Sequence, residues 1–138
     1  MGLRFVPSSF LDDTATYVFF GSTNDNTQTE LFVNGVAGSR VVLDNNTILL
    51  FTLRIGGRKT DISDVYDVFI QGTIKRTIDA THIFFVETPQ ANEISGRNLG
   101  WVADVYADTS NGALSVRVTG KTGASIDWVA QLKFVQIQ

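Results

Sequence analysis

The sequence predicts an all-β protein, and three observations support that prediction. Nearly every apolar stretch alternates with period 2 or is a short β-branched or aromatic run, which is typical of strands. The segments between these runs are rich in Asn, Asp and Gly, which favour turns. They are too short for the crossovers that parallel strands need, so antiparallel neighbours are expected. The predicted fold is an antiparallel β-sandwich of jelly-roll type with an extended N-terminal arm.

Nine strands are predicted, over residues 14–20, 28–33, 40–43, 47–55, 65–76, 82–87, 101–108, 113–119 and 126–135. In the last hairpin, Leu114 and Val118 point to one face while Arg117 points to the other. Trp101 and Trp128 both fall on the inward faces of their strands. We therefore expect each tryptophan to pack in the core.

Residues 1–13 differ from the rest of the chain because their apolar side chains follow neither the strand period nor the helix period, and Pro7 interrupts them. They are predicted to form the arm, and residues 14–138 a single domain. Such an apolar segment must be covered by its own domain or by a neighbouring chain. We expect it to reach another chain, in a homotrimer or on a capsid. The predicted partner-binding residues of the arm are Leu3, Phe5, Val6, Phe10 and Leu11.

Composition excludes several function classes. The chain of 138 residues fits one domain. Its lack of cysteine excludes disulfides and thiolate metal sites, and it is consistent with assembly in a reducing cytoplasm. A net charge of −3 with scattered basic residues argues against a nucleic-acid surface. No apolar run reaches the ~18 residues that span a bilayer, so no membrane partner is expected.

Catalytic and metal-binding motifs are not found. His82 is the one histidine, it is predicted to lie within a strand, and no nucleophile elbow accompanies it. Asp61, Asp64 and Asp67 are spaced three apart but do not match a calcium loop. No enzyme activity, cofactor or metal is therefore predicted.

The stretch "GGRKTD" at residues 56–61 lacks the spacing of a phosphate loop and is interpreted as a turn. Its two basic residues, Arg58 and Lys59, are expected to pair with nearby carboxylates or with a partner protein.

Several stretches resemble a β domain that recurs in structural proteins of tailed bacteriophages. They are "TELFVNG", "NNTILLFTLRIGGRKTD", "GTIKR" and "WVADVYADTSNGALSVRVTGKTGASIDWVAQL", and the resemblance covers roughly residues 28–135. It implies a virion component without enzymatic activity.

Within that class, the favoured hypothesis is a capsid decoration or cement protein that binds the major capsid protein. Its support is the size of the chain, which has no room for the coiled-coil shaft of a complete fibre. The alternative is a tail-fibre or receptor-binding tip, which would need an exposed aromatic platform built from Tyr17, Tyr66 or Tyr106. A jelly-roll enzyme acting on carbohydrate lacks an identifiable catalytic pair of carboxylates.

Overall fold

A computed structural model describes residues 10–138, with side-chain surroundings from Ala15 onwards, and shows ten β-strands. They are β1 (Phe10–Thr23), β2 (Thr29–Val33), β3 (Val41–Val42), β4 (Thr47–Lys59), β5 (Val65–Arg76), β6 (Ile83–Phe85), β7 (Gln90–Ser95), β8 (Val102–Asp108), β9 (Ala113–Thr119) and β10 (Ile126–Ile137). In this part of the chain no helix is long and apolar enough to cross a membrane.

All strand pairs are antiparallel and belong to one continuous, curled sheet. The pairing order is β3-β9-β2-β1-β10-β4-β5-β6, with β8 on the other edge of β9 and β7 beside β6 on the outer edge of β5. The curl brings β6 and β8 close together, although they lie at opposite ends of this order. The sheet therefore forms a half-barrel around one core.

The predicted all-β, antiparallel class is confirmed, whereas the jelly-roll sandwich is not. Strand β1 pairs with both β10 and β2, and β2 continues the ladder to β9. One sheet thus wraps the core, where a sandwich would place two separate sheets face to face.

The core lies on the concave side of the sheet and follows from the alternation in the long strands. In β4 and β10 nearly every second side chain is buried. Trp101 and Trp128 are 3% and 2% exposed, which confirms their predicted place in the core. Their ring centroids are 5.8 Å apart, and Tyr66 packs against both at 6.4 and 6.0 Å.

Three local predictions are corrected. Strand β7 was missed because its side chains are all exposed or half-buried, and it is held by backbone pairing to β5. Residues 56–59 continue β4, so the turn begins only at Thr60. Strand β1 begins at Phe10, so residues 10–13 belong to the sheet and not to an arm. Leu3, Phe5 and Val6 lie outside the described residues.

Candidate interaction surface

The convex side of the sheet carries the outward side chains of β1, β10, β4 and β5. Side chains directly opposite one another on paired antiparallel strands are neighbours, so the strand register arranges them in rows that cross the sheet. One row contains Phe20, Val129 and Gly56, and the next contains Val18, Gln131 and Arg54. These rows define which outward side chains form a common surface.

One end of the convex face is apolar and exposed. Val18, Phe20, Val65 and Val129 have 38%, 40%, 53% and 51% of their surface exposed. We call these four residues, together with the depression at Gly56, the Phe20 patch. Its side chains stand on paired strands, which hold them in fixed relative positions, and contiguous apolar surface of this kind often marks a protein interaction site.

Glycine at position 56 produces the depression in this patch. Gly56 faces outward and has no side chain, which leaves a shallow depression of about 340 Å³ between Val65 and Val129. Gly57, the next residue, faces the core, where a Cβ atom would lie 2.8 Å from the indole of Trp128. The two glycines thus have different roles: one lets the core close on Trp128, and the other shapes the outer surface.

Charged residues border the Phe20 patch. Arg58, a predicted partner-binding residue, lines the depression and is 3.8 Å from Asp127. Both side chains remain largely exposed, at 56% and 45%. Lys59, the other predicted residue, forms a 4.0 Å ion pair with Asp64 at the end of the β4–β5 hairpin. The structure therefore places Arg58 on the candidate surface and Lys59 at the end of the β4–β5 hairpin, outside the depression.

The remaining predicted partner-binding residues belong to the start of the chain. Phe10 and Leu11 lie in β1, where Phe10 pairs with Ile137. The Phe20 patch itself was not predicted from the sequence.

The carboxylates singled out in the sequence do not converge on a metal site. Asp67 forms two hydrogen bonds with Arg54, at 2.7 and 3.1 Å, on the convex face. Asp61 instead accepts hydrogen bonds from the backbone and hydroxyl of Ser63. Across residues 10–138 no group of three His, Cys, Asp or Glu side chains could hold a metal ion.

His82 lies in the turn before β6 and not within a strand as predicted. Its Nδ1 is 2.6 Å from Oδ1 of Asp79, and both side chains are 54% exposed. This contact and a hydrogen bond from Thr81 lower the pKa of Asp79 to about 2. The contacts among Asp79, Thr81 and His82 stabilise the turn. Among the described residues, no serine or cysteine lies within hydrogen-bond distance of the His82 ring, so none is placed for His82 to activate as a nucleophile.

A second polar cluster lies on the outer face of β9 and is internally satisfied. Glu30 accepts hydrogen bonds from Arg40 at 3.1 and 3.3 Å and from the buried Ser115 hydroxyl at 2.9 Å. Arg40 is also 3.6 Å from Asp108. Burial opposes ionisation of Asp108, but hydrogen bonds from Asn111 and from neighbouring backbone amides lower its pKa overall. This cluster joins β2, β9 and the loop before β3, so its role is structural.

The three tyrosines do not form an exposed aromatic platform. Tyr66 is 1% exposed and donates a 2.7 Å hydrogen bond to Glu93, and its burial, together with Glu93, raises its pKa. Tyr17 stacks on Phe134 with centroids 5.9 Å apart. The guanidinium of Arg117 covers the ring of Tyr106 at 4.4 Å. All three rings are therefore engaged within the domain.

No protein-family model matches the chain, and no curated protein sequence matches it. Among solved structures it is similar to the crystal structure of the Acinetobacter phage vB_ApiP_P1 tailspike protein, with 8% sequence identity and a TM-score of 0.35. The match covers 94% of this chain and 24% of that one, so the chain spans about a quarter of the tailspike's length.

Proposed function

We propose that the chain is a non-enzymatic structural protein of a tailed-bacteriophage virion, which binds a neighbouring virion protein through the Phe20 patch. The capsid shell is the partner proposed first, and the alternative is a place in the tail. The resemblance over residues 28–135 supports the class of protein, and the exposed patch supports the mode of binding.

The observation that carries the proposal is the position of Phe20 and Val129. They are direct cross-strand neighbours, and 40% and 51% of their respective surfaces are exposed. Both lie on strands in which buried and exposed side chains otherwise alternate. Aromatic and aliphatic side chains beside a depression, bordered by charged residues, resemble the core and rim of a protein interface. Arg58 and Asp127 would supply that rim.

The structure gives less support to a glycan-binding tip. The platform expected for such a tip was one of exposed tyrosines, and Tyr17, Tyr66 and Tyr106 are each packed against another group. In the alternative proposal, the chain therefore binds another protein of the tail and does not recognise a sugar.

Co-sedimentation with purified capsids and, separately, with purified tails of the encoding phage would test the proposal. The full chain should bind one of the two particles, and Phe20→Ser with Val129→Ser should weaken that binding at least tenfold, or about 1.4 kcal/mol. Ile78→Ser is the matched control, because Ile78 is 66% exposed but lies outside the convex rows, after the end of β5.

Each outcome of this experiment is informative. Binding to capsids supports shell decoration, and binding to tails supports the alternative. If the full chain binds neither particle, the virion assignment is wrong. If the Phe20 and Val129 variant binds as tightly as the Ile78 control, the Phe20 patch is not the binding surface.

A further inference from the structure

The curled sheet has an opening on one side, where its two edges face each other. One edge is β8, and the other is formed by β6 and β7 on the outer side of β5. In residues 10–138 no backbone hydrogen bond crosses from β8 to β6 or β7. A strand edge with unpaired backbone groups can bind a further strand by continuing the ladder.

A cleft of about 680 Å³ lies in this opening. One side is lined by β6 and the connection from β6 to β7, and the other by Asp104, Val105 and Ala107 of β8. Asp104 is exposed on the outer face of β8, whereas Val105 is buried on the inner face. Since both faces of β8 border the cleft, an occupant would lie in the plane of the sheet, beside β8.

The backbone groups of β8 that point into the opening belong to every second residue. The N–H of Val105 donates a 2.7 Å hydrogen bond to Oδ1 of Asp104, so it does not pair with β9. In an antiparallel ladder, the N–H and C=O of one residue point to the same side, and those of the next residue point to the other side. The groups of Ala103, Val105 and Ala107 therefore point into the opening.

Tyr66 closes the end of the opening near Ala103. Its hydroxyl donates a 2.7 Å hydrogen bond to Glu93 of β7, and the backbone amide of Ala103 interacts with the same hydroxyl. This contact connects β5, β7 and β8 at that end. The open stretch of the β8 edge therefore contains Val105 and Ala107.

The two faces of the cleft differ in chemistry. Val105 is 4% exposed, and Phe85 and Ala107 pack partly buried against the core, so the inner floor is apolar. Asp104 and Glu87 are exposed, and no basic side chain is present among the described residues that line the cleft. Successive side chains of a strand point to opposite faces of the sheet. A fitting strand therefore has apolar side chains facing inward and basic side chains facing outward.

Asp104 connects the backbone edge to this charge preference. Among the described residues, its carboxylate accepts a hydrogen bond from the Val105 amide alone. A carbonyl oxygen of an incoming strand can take over that amide, which releases the exposed carboxylate. The carboxylate then pairs with a basic side chain of the incoming strand, an opposite-charge contact that stabilises neighbouring strands.

We propose that the open edge of β8 binds an extended segment of another protein, in which apolar residues alternate with lysine or arginine. The backbone of the segment pairs with Val105 and Ala107. Its apolar side chains cover the floor at Phe85, and its basic side chains lie beside Asp104 and Glu87. This edge is separate from the Phe20 patch on the convex face, so its occupation does not depend on binding at that patch.

A labelled synthetic peptide of alternating lysine and valine tests this binding by fluorescence anisotropy. It has seven residues, the length of β8. The unmodified chain should bind it at least tenfold more tightly than two control peptides. One control alternates glutamate and valine, and the other has the same lysines and valines arranged in blocks.

Charge-removing variants of the protein locate the peptide. Asp104→Asn with Glu87→Gln should weaken binding of the lysine and valine peptide at least fivefold. Asp25→Asn with Asp64→Asn removes the same charge from two exposed carboxylates that do not line the cleft, and it should leave the affinity unchanged. Equal affinity of the two protein variants would overturn the proposed site.

Backbone methylation of the peptide gives a readout that charge attraction alone would not produce. Alternate N–H groups of a paired strand face the same neighbour. Methylating the valine nitrogens in one peptide, and the nitrogens of the lysines between them in another, removes the two sets in turn. One methylated peptide should bind at least tenfold more weakly than the other.

Three results would overturn the proposed pairing with β8. They are equal affinity of the two methylated peptides, equal affinity of the alternating and block peptides, and no measurable binding of the alternating peptide at about 1 mM. The first two would mean that charge alone attracts the peptide, and the third that the edge of β8 does not accept a strand.

Discussion

Gly57 provides the sharpest test of how the core is packed. A Cβ atom at this position would lie 2.8 Å from both Cε3 and Cζ3 of Trp128, whereas carbon atoms in contact prefer about 3.5–4.0 Å. Trp128 has little room to move away. It is 2% exposed, it contacts the rings of Tyr66 and Trp101, and its Nε1 donates a 2.9 Å hydrogen bond to Thr23.

The expected cost of Gly57→Ala follows from this geometry. Overpacking a well-packed core typically costs about 1–3 kcal/mol. Replacing glycine by alanine also lowers the entropy of the unfolded chain, which offsets about 0.4–1 kcal/mol. The free energy of unfolding should therefore fall by about 1–2 kcal/mol. Gly56→Ala is the matched control, because its Cβ would meet its nearest neighbours only at 3.8 and 3.9 Å. That variant should be neutral or more stable by up to about 1 kcal/mol.

Urea unfolding followed by tryptophan fluorescence measures both variants, since Trp101 and Trp128 are buried in the native state. The same measurement in a Trp128→Phe background isolates the contact. Because phenylalanine is smaller than tryptophan, Gly57→Ala should there cost less than half as much, which a double-mutant cycle reports as a coupling energy. If Gly57→Ala is as stable as Gly56→Ala, or if its cost is the same in both backgrounds, the packing inferred around Trp128 is wrong.

Four further outcomes are expected. Trp128→Ala should lower the free energy of unfolding by about 3–5 kcal/mol, the usual cost of truncating a buried tryptophan, and a variant as stable as the unmodified chain would contradict its buried position. Gln136→Met should raise the free energy of unfolding by about 1–3 kcal/mol in the same urea assay, because both polar atoms of the Gln136 amide are buried without a hydrogen-bond partner among the described residues. The pKa of Asp79 is lowered to about 2 in the folded state, so its ionised form contributes stability above about pH 4. This stability is lost as the pH falls through 2. The melting temperature of the unmodified chain should therefore differ from that of Asp79→Asn at pH 5, and the difference should disappear near pH 2. A chelator should leave the melting temperature unchanged, since no group of three carboxylate or histidine side chains in residues 10–138 could hold a metal ion, and a large decrease would contradict this.

The strands could be predicted because their inward side chains alternate, and this pattern is local. In β5 and β9 the predicted bounds agree with the observed ones, Val65–Arg76 and Ala113–Thr119. Strand β7 has no such pattern, because it is held at the edge of the sheet by backbone hydrogen bonds that leave no mark on its side chains. The order of strands depends on which edges meet across long sequence separations, so alternation alone cannot distinguish a curled sheet from a jelly roll.

The exposed apolar surfaces leave a sequence signal of a different kind. Phe20, Leu50 and Val129 each directly follow an inward apolar residue, so each interrupts the alternation of its strand with two adjacent apolar side chains. In a sheet with one solvated face, the second member of such a pair must point outward. Two adjacent apolar residues within an otherwise alternating strand therefore predict an apolar side chain on the outer face of the sheet. The strand register is needed to determine which of these side chains lie in the same row.

The Phe20 patch shares the convex face with a second apolar row, formed by Leu50 and Val135, and polar rows separate the two. Gln131 and Arg54 form one of these rows, and Thr16, Lys133 and Thr52 form the next. Arg54 on β4 forms a 2.7 Å ion pair with Asp67 on the neighbouring strand β5, so a charged boundary separates the Phe20 patch from Leu50 and Val135.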